Sequence, residues 1–418
     1  MRLGDICSKI GSGATPRGGK EAYSTSGIPI IRSQNVLDWS FSSNGLAYLN
    51  DEQAKTLSNV EVHQGDILLN ITGDSVARAC IVPSDVIPAR VNQHVAILRP
   101  KEKANATFIL AWLQTNKDLL LKLASSGATR NALTKRMLEG LDINLPSIDI
   151  QNHIAALISL IQSKINLNIK LNGYLEKLVS LEFSRRFKAS TPTIELGKVL
   201  SISTESIKPQ EHAGEIWEHY SIPAYDENRQ PLFELSDGIK SNKYAIDANC
   251  ILISKLNPAT KRIWMPSCTS EHSVCSTEFI VYKPKNPRYK SFYYAAIDSQ
   301  AFTDFLIAHV TGSTGSRQRT QPKATLTYPM PNPGHDAIEG FCAFADPIYK
   351  QIQSNKLESK WLVSLRDALL PKLMSGEIDV SKIDLTQLNS HLEKRKAAAS
   401  VLSLIFPIAL PGLWSPMQ

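Results

Sequence analysis

The stretch Asn92-Gln93-His94-Val95-Ala96-Ile97-Leu98-Arg99-Pro100-Lys101 has a counterpart 184 residues downstream, Ser276-Thr277-Glu278-Phe279-Ile280-Val281-Tyr282-Lys283-Pro284-Lys285. Working outward, Gly65-Asp66-Ile67-Leu68-Leu69-Asn70 answers to Asn249-Cys250-Ile251-Leu252-Ile253-Ser254, and Leu3-Gly4-Asp5-Ile6 to Leu196-Gly197-Lys198-Val199. Ser125-Ser126-Gly127-Ala128-Thr129 meets Val310-Thr311-Gly312-Ser313-Thr314, and Pro146 meets Pro331. Ordered matches at a nearly constant offset mark an internal duplication, which decides the architecture before any single element is assigned.

Each copy has two parts. The first is rich in short aliphatic and β-branched runs broken by Gly, Pro, Asn and Asp, with one helical stretch at Phe108–Leu123, which predicts a mixed α+β module. The second is a long helix. Ile150, Ile154, Leu157, Ile161, Ile165, Leu171, Leu175 and Leu178 recur at steps of three and four with no proline from Ser147 to Thr191. Phe341, Ala345, Ile348, Ile352, Leu362, Leu365, Leu369 and Leu373 repeat the stripe, with Pro347 toward the start of that helix and Pro371 toward its end. A helix of about 37 residues at 1.5 Å per residue is roughly 55 Å long, the scale of a coiled-coil arm. Asn168, Asn172 and Asn355 interrupt the stripes, either as polar seam positions that set alignment or as solvent-facing residues.

The expected organisation is therefore α+β: two similar globular modules, 1–147 and 191–336, each followed by a long helix, 148–190 and 337–376. The helices would pair as an antiparallel coiled coil with pseudo-twofold symmetry, and 377–418 would form a C-terminal segment. Its apolar part, Ala397–Leu413, is interrupted by Pro407 and Pro411 and falls short of a clean span of about 20 residues, so it reads as a docking or frayed tail.

The 418 residues are 43% hydrophobic and 20% charged, with a net charge of +7 that permits a polyanionic partner without demanding one. No region is a polybasic tail. Six cysteines without a Cys-x-x-Cys pair, and no charged-then-apolar leader, point to a reduced, cytoplasmic protein. Cys268, His272 and Cys275 lack a fourth ligand at zinc spacing, so no metal site is expected, and His212 and His219 read as solvated.

Catalytic signatures fail one after another. Gly19-Lys20 would need Gly at 14 and Ser or Thr at 21 to make a phosphate loop, but the residues are Ala14 and Glu21. Neither Asn144-Leu145-Pro146 nor Asn332-Pro333-Gly334 supplies an Asn/Asp-Pro-Pro-aromatic motif. Glu358-Ser359-Lys360 stands without clustered carboxylates, and no Gly-x-Ser-x-Gly elbow occurs. No catalytic residue is expected in this chain. Two modules on paired helices have a physical use on DNA, since each could read a major groove one or more turns, about 34–36 Å each, from the other.

The sequence resembles the DNA-specificity subunit of type I restriction-modification systems. The resemblance rests on Gly13-Ala14-Thr15-Pro16, Gly27-Ile28-Pro29-Ile30-Ile31, Gly65-Asp66-Ile67-Leu68-Leu69 with Thr72-Gly73, and Val91-Asn92-Gln93. In the second copy it rests on Ile251–Pro258 and above all on Leu369-Leu370-Pro371-Lys372-Leu373-Met374-Ser375-Gly376-Glu377-Ile378. It departs from the family's Pro-x-x-x-Glu-Gln before each long helix, having Ile150 in place of Glu and lacking the pair after Pro331.

The resemblance implies two target recognition domains that bind double-stranded DNA and two spacer helices that dock two modification subunits, with restriction subunits recruited in turn. It implies that S-adenosylmethionine, ATP and Mg belong to those partners, that this chain binds no cofactor, and that no membrane is involved. Base and phosphate chemistry nominates Arg32, Gln34, Asn35, Thr72, Arg78 and Arg130 in the first module, and Lys255, Asn257, Lys261, Arg262, Arg317, Gln318 and Arg319 in the second. The helix seam would be Ile154, Leu157, Ile161, Ile165 and Leu175 against Ile348, Ile352, Leu362, Leu365 and Leu369. A standalone DNA methyltransferase or nuclease, or a coiled-coil protein-binding adaptor, are the competing readings.

Overall fold

Residues 1–16, 18, 22–125, 131–187, 191–311 and 318–382 are described in a computed structural model of the chain. Arg130, Arg317 and the apolar tail lie outside them. The chain divides into two compact units: 1–167 completed by the segment from Ser359 onward, and Asn168–Glu358.

The first unit starts with the helical turn α1 (Leu3–Ile6), then β1 (Cys7–Ser12), β2 (Ile28–Ile31), β3 (Ala47–Leu49), α2 (Asp51–Thr56), β4 (Glu61–Val62), β5 (Ile67–Asn70), β6 (Ala79–Ile81), β7 (Ala89–Val91) and β8 (Val95–Pro100). Helices α3 (Ala106–Thr115), α4 (Lys117–Ser125) and α5 (Lys135–Glu139) lead to the long α6 (Ile148–Arg186), which runs on into the second unit. Two four-stranded sheets form, β1-β8-β5-β6, which is antiparallel throughout, and β3-β2-β7-β4, whose β2 and β7 are parallel. β5 is an unbroken aliphatic run because both its faces are covered: Ile67 and Leu69 join the core under α3 and α6, and Leu68 joins the core shared with the second sheet. The single helix expected at Phe108–Leu123 is two. The Asn116 amide donates to the Trp112 carbonyl at 2.9 Å and ends α3.

The second unit holds β9 (Thr193–Glu195), α7 (Leu196–Val199), β10 (Leu200–Ser203), β11 (Ser206–Ile207), β12 (Ile216–Tyr220), α8 (Ile222–Asn228), β13 (Leu232–Leu235), β14 (Lys243–Ala245), β15 (Ile251–Ser254), β16 (Ile263–Trp264), β17 (Ser273–Cys275) and β18 (Phe279–Pro284). Then come α9 (Lys290–Ile297), α10 (Gln300–Ala308), β19 (Val310–Thr311), β20 (Arg319–Thr320), α11 (Pro322–Thr325), β21 (Pro329–Pro331) and the long α12 (His335–Ser375), which ends in the first unit. Its sheets, β10-β18-β15-β16 and β11-β14-β17-β12-β13 with β12 parallel to β17, repeat the first unit's strand order with β11 added at one edge. Ile67 to Ile251, Ala89 to Ser273 and Val95 to Phe279, the first residues of matched strands, are each a step of 184. The duplication read from the sequence is thus a duplication of topology.

The long helices pair in opposite directions within each unit. In the second, Asn172 donates to the Ile352 carbonyl at 3.4 Å, Asn355 donates to Asn172 Oδ1 at 2.8 Å, and Asn168 donates to Glu358 Oε2 at 3.0 Å. These asparagines are buried and bonded to one another, which selects the alignment reading over the solvent-facing one. In the first unit, Arg366 donates to Gln162 Oε1 at 2.8 Å, and Ile154, Ile158, Leu370 and Leu373 share one core. Ile161, Ile165 and Ile352 are buried; Leu157, Leu175, Ile348, Leu362, Leu365 and Leu369 are half-buried. Ile150 is exposed instead, because the buried start of α6 is set by Gln151, whose amide donates to the Lys103 and Pro146 carbonyls. Pro347 falls in the fourth turn of α12. Phe183, Phe187, Phe292 and Phe341, with centroids 5.1–6.0 Å apart, weld the second module to the helix pair. His219 is not solvated: its side chain is 12% exposed and meets Glu234 at 2.6 Å.

Candidate nucleic-acid interface

In both modules the chain leaving the central strand is held by the same brace. After β5, Ile71 N donates to the His94 carbonyl at 3.0 Å, Leu133 N to the Ile71 carbonyl at 2.8 Å, and Gly73 N to the Asn131 carbonyl at 3.2 Å. After β15, Lys255 N donates to the Glu278 carbonyl at 3.0 Å, Thr320 N to the Lys255 carbonyl at 2.9 Å, and Asn257 N to the Gln318 carbonyl at 3.0 Å. Gly73 and Asn257 both take the left-handed conformation, at φ 75° and 49°. The turn demands it, and asparagine tolerates that region better than most side chains. The brace therefore sets the end of the central strand beside the segment that emerges from the glycine-containing stretch of each copy.

Candidates from the first module gather at this end of β5. Asn70 Nδ2 donates to the Ser33 and Val36 carbonyls at 2.9 and 3.2 Å, which ties the Arg32–Val36 turn to the strand end. Asn70 N also donates to the Arg78 carbonyl at 2.8 Å, and Thr72 Oγ1 lies 2.7 Å from His94 Nδ1. Arg32 and Gln34 both donate to the Gly45 carbonyl. Asn35 is fully enclosed; its amide is spent on the Ser42 and Asn44 carbonyls, so it shapes the turn and cannot present itself to a groove. Half-buried Arg78 stands at the same strand end.

The second module brings Lys255, Asn257, Gln318 and Arg319 together by the brace, and Leu256 bridges Arg319. Asn257 Oδ1 is enclosed and has no hydrogen-bond partner among the described residues. Arg319 forms a double hydrogen bond to Glu278, which holds its guanidinium above the usual arginine range. Arg262, whose carbonyl meets Ser254 N as that of Arg78 meets Asn70 N, is clamped by Asp226 at 2.6 and 2.8 Å. Lys261 is paired with Asp298 at 2.6 Å. Both side chains that looked free for DNA are committed within the module. Sequence reading passed over Asn70, His94, Asn131 and Glu278; the aligned pair that opens with Asn92 and Ser276 already contained His94 and Glu278, at the same place in each copy.

Among the described residues no group of histidine, cysteine or acidic side chains is arranged to hold a metal, and the described cysteines are unpaired and mostly buried. Burial pushes the Cys7, Cys80 and Cys268 thiols up to about 12, the opposite of an activated nucleophile. No described helix is long and apolar enough to cross a membrane.

Residues 1–177 match the family model of the type I restriction modification DNA specificity domain. The specificity-domain match thus takes in the first module, its brace and most of α6. A solved type I restriction-modification S subunit from M. genitalium superposes with a TM-score of 0.52 at 14% identity, covering 89% of this chain and 95% of that one. That likeness is one of fold, and it extends across both modules. An HsdS subunit from Thermoanaerobacter tengcongensis aligns over 90% of this chain and 96% of its own at 15% identity, with a TM-score of 0.32, too loose a superposition to argue from.

Proposed function

We propose that this chain is the DNA-specificity subunit of a type I restriction-modification complex, acting in the cytoplasm. Each module reads one half of a bipartite duplex target, and the helix pair sets the unread gap and docks two modification subunits, which draw in restriction subunits. Methylation with S-adenosylmethionine and ATP- and Mg-dependent translocation and cleavage belong to those partners; this chain supplies recognition and scaffolding without catalysis. The pseudo-twofold relation of the modules follows from the same reading, and so do unlike half-sites, since the reading positions differ between copies.

The observation that carries the proposal is the duplicated brace, one framework on which part of the side-chain set differs between the copies. Thr72 and Asn131 stand where the second module has Leu256 and Gln318, while Arg78 and Arg262 keep the same residue at the equivalent position. Two copies of one framework with unlike side chains suit a split, asymmetric target. The test is selection from a randomised duplex library by the full chain with its modification subunit. Enrichment of two short unlike sequences at fixed spacing is the expected outcome; enrichment of one contiguous site, or of none, overturns the reading.

A further inference from the structure

The second unit contains a cavity of about 230 Å³ where α8, β16 and α9 of the module meet α6 and α12. In the first unit a module residue and a long-helix residue touch directly. There the Arg366 guanidinium lies 4.7 Å from the centre of the Trp39 ring and donates to Gln162. Trp39 is left-handed at φ 63° and follows β2; in the second unit left-handed Arg229, φ 55°, follows the matching β12. Tyr225 and Trp264 line the cavity beside Arg229, whose guanidinium lies 5.4 Å from the centre of the Tyr225 ring.

The charges around the opening do not close on themselves. Lys261 and Asp298 form a tight pair at 2.6 Å, with the Lys261 ammonium also donating to the Asp298 carbonyl at 2.7 Å. Glu176 on α6 then faces two cations, Arg229 at 3.6 Å and Lys356 at 3.8 Å, both beyond hydrogen-bond reach. One carboxylate is left to serve two cations. Burial pulls Lys356 below the usual lysine range, as expected of an ammonium short of acceptors, and pushes the Asp298 carboxyl up. Tyr225, Tyr294 and Tyr349 supply aromatic walls beside these cations. Among the described residues the lining carries three cations, Arg229, Lys261 and Lys356, against two carboxylates, Glu176 and Asp298, and such a surplus beside aromatic walls suits a small oxyanion.

We propose that this cavity binds a small oxyanion of the phosphate or carboxylate class, held between Lys356 and Arg229. The bound group would join the module to the helix pair at the place where Arg366 and Trp39 make the contact directly in the first unit. Its source is either a free anion or the phosphate of a nucleotide, whose base would lie against the tyrosines.

The test is calorimetric titration of the full chain with inorganic phosphate and with adenosine monophosphate, against chloride at matched ionic strength. Saturable one-to-one binding is expected, weakened about tenfold or more by Lys356→Met and within about threefold of wild type for Lys356→Arg. Tighter binding of the nucleotide than of phosphate assigns the site to a nucleotide; equal binding assigns it to the free anion. Hydrogen exchange of the wild-type chain with and without phosphate locates the ligand should Lys356→Met not fold: protection confined to peptides around 225–229 and 349–356 is expected. Absence of saturable binding by the wild type, unchanged binding by Lys356→Met, or protection elsewhere overturns the proposal.

Discussion

The Arg319 guanidinium donates twice to the Glu278 carboxylate, at 3.1 and 3.3 Å, at the position where the first module has His94. A phosphate that recruits Arg319 must displace this carboxylate. Glu278→Gln keeps the size and removes the charge, so affinity for target duplex should rise about three- to tenfold at low salt, with log K falling more steeply against log salt by about one. Arg319→Ala should shift both in the opposite direction, and Arg317→Ala with Arg319→Ala further still. Binding isotherms at several salt concentrations check this; an unaltered slope in all three variants removes the segment from the interface.

Asn257 separates holding the turn from reading DNA. Asn257→Gly preserves the left-handed backbone and should leave the melting temperature within a few degrees of wild type, whereas Asn257→Val should destabilise by about 1–2 kcal/mol. If the Asn257 amide reads a base, Asn257→Gly will bind DNA but lose discrimination at one position of the second half-site by about 1–3 kcal/mol. Competition among point-substituted duplexes measures it.

The Asn172–Asn355 bond ties the two long helices in the second unit. Asn172→Leu alone leaves the Asn355 amide enclosed without that acceptor and should cost about 1–3 kcal/mol. Asn172→Leu with Asn355→Leu removes both groups and should recover most of that loss. Urea unfolding of the single and double variants reads the difference; equal losses in the two would show that the bond contributes little.

Removing seven residues from α6 and the facing seven from α12 shortens each by about 10.5 Å, close to the rise of three base pairs. The preferred gap between half-sites should shrink by about that much in library selection. An unchanged gap refutes the helix pair as the spacer.

The duplication was legible because it repeats side-chain types at constant offset, and the long helices because their apolar period runs for some ten turns, with no proline in α6 and with Pro347 and Pro371 toward the two ends of α12. The burial of β5 on both faces was written in its continuous aliphatic run. What escaped was set by partners distant in sequence. Nothing near Arg262 announces Asp226, and nothing near Asn35 announces that the Ser42 and Asn44 carbonyls close over it. The left-handed residues Trp39, Arg229 and Asn257 carry no glycine signal, since tertiary contacts impose their conformation.

The second unit is one unbroken run, Asn168–Glu358, whereas the first needs both ends of the chain, because Leu370 and Leu373 lie in the core that Leu3 and Ile6 begin. During synthesis the second unit therefore leaves the ribosome with all its parts. The first, though its strands emerge earliest, waits for the closing turns of α12 before its core is sealed. A premature stop after Glu358 would spare the later-made half and leave the earlier-made half open.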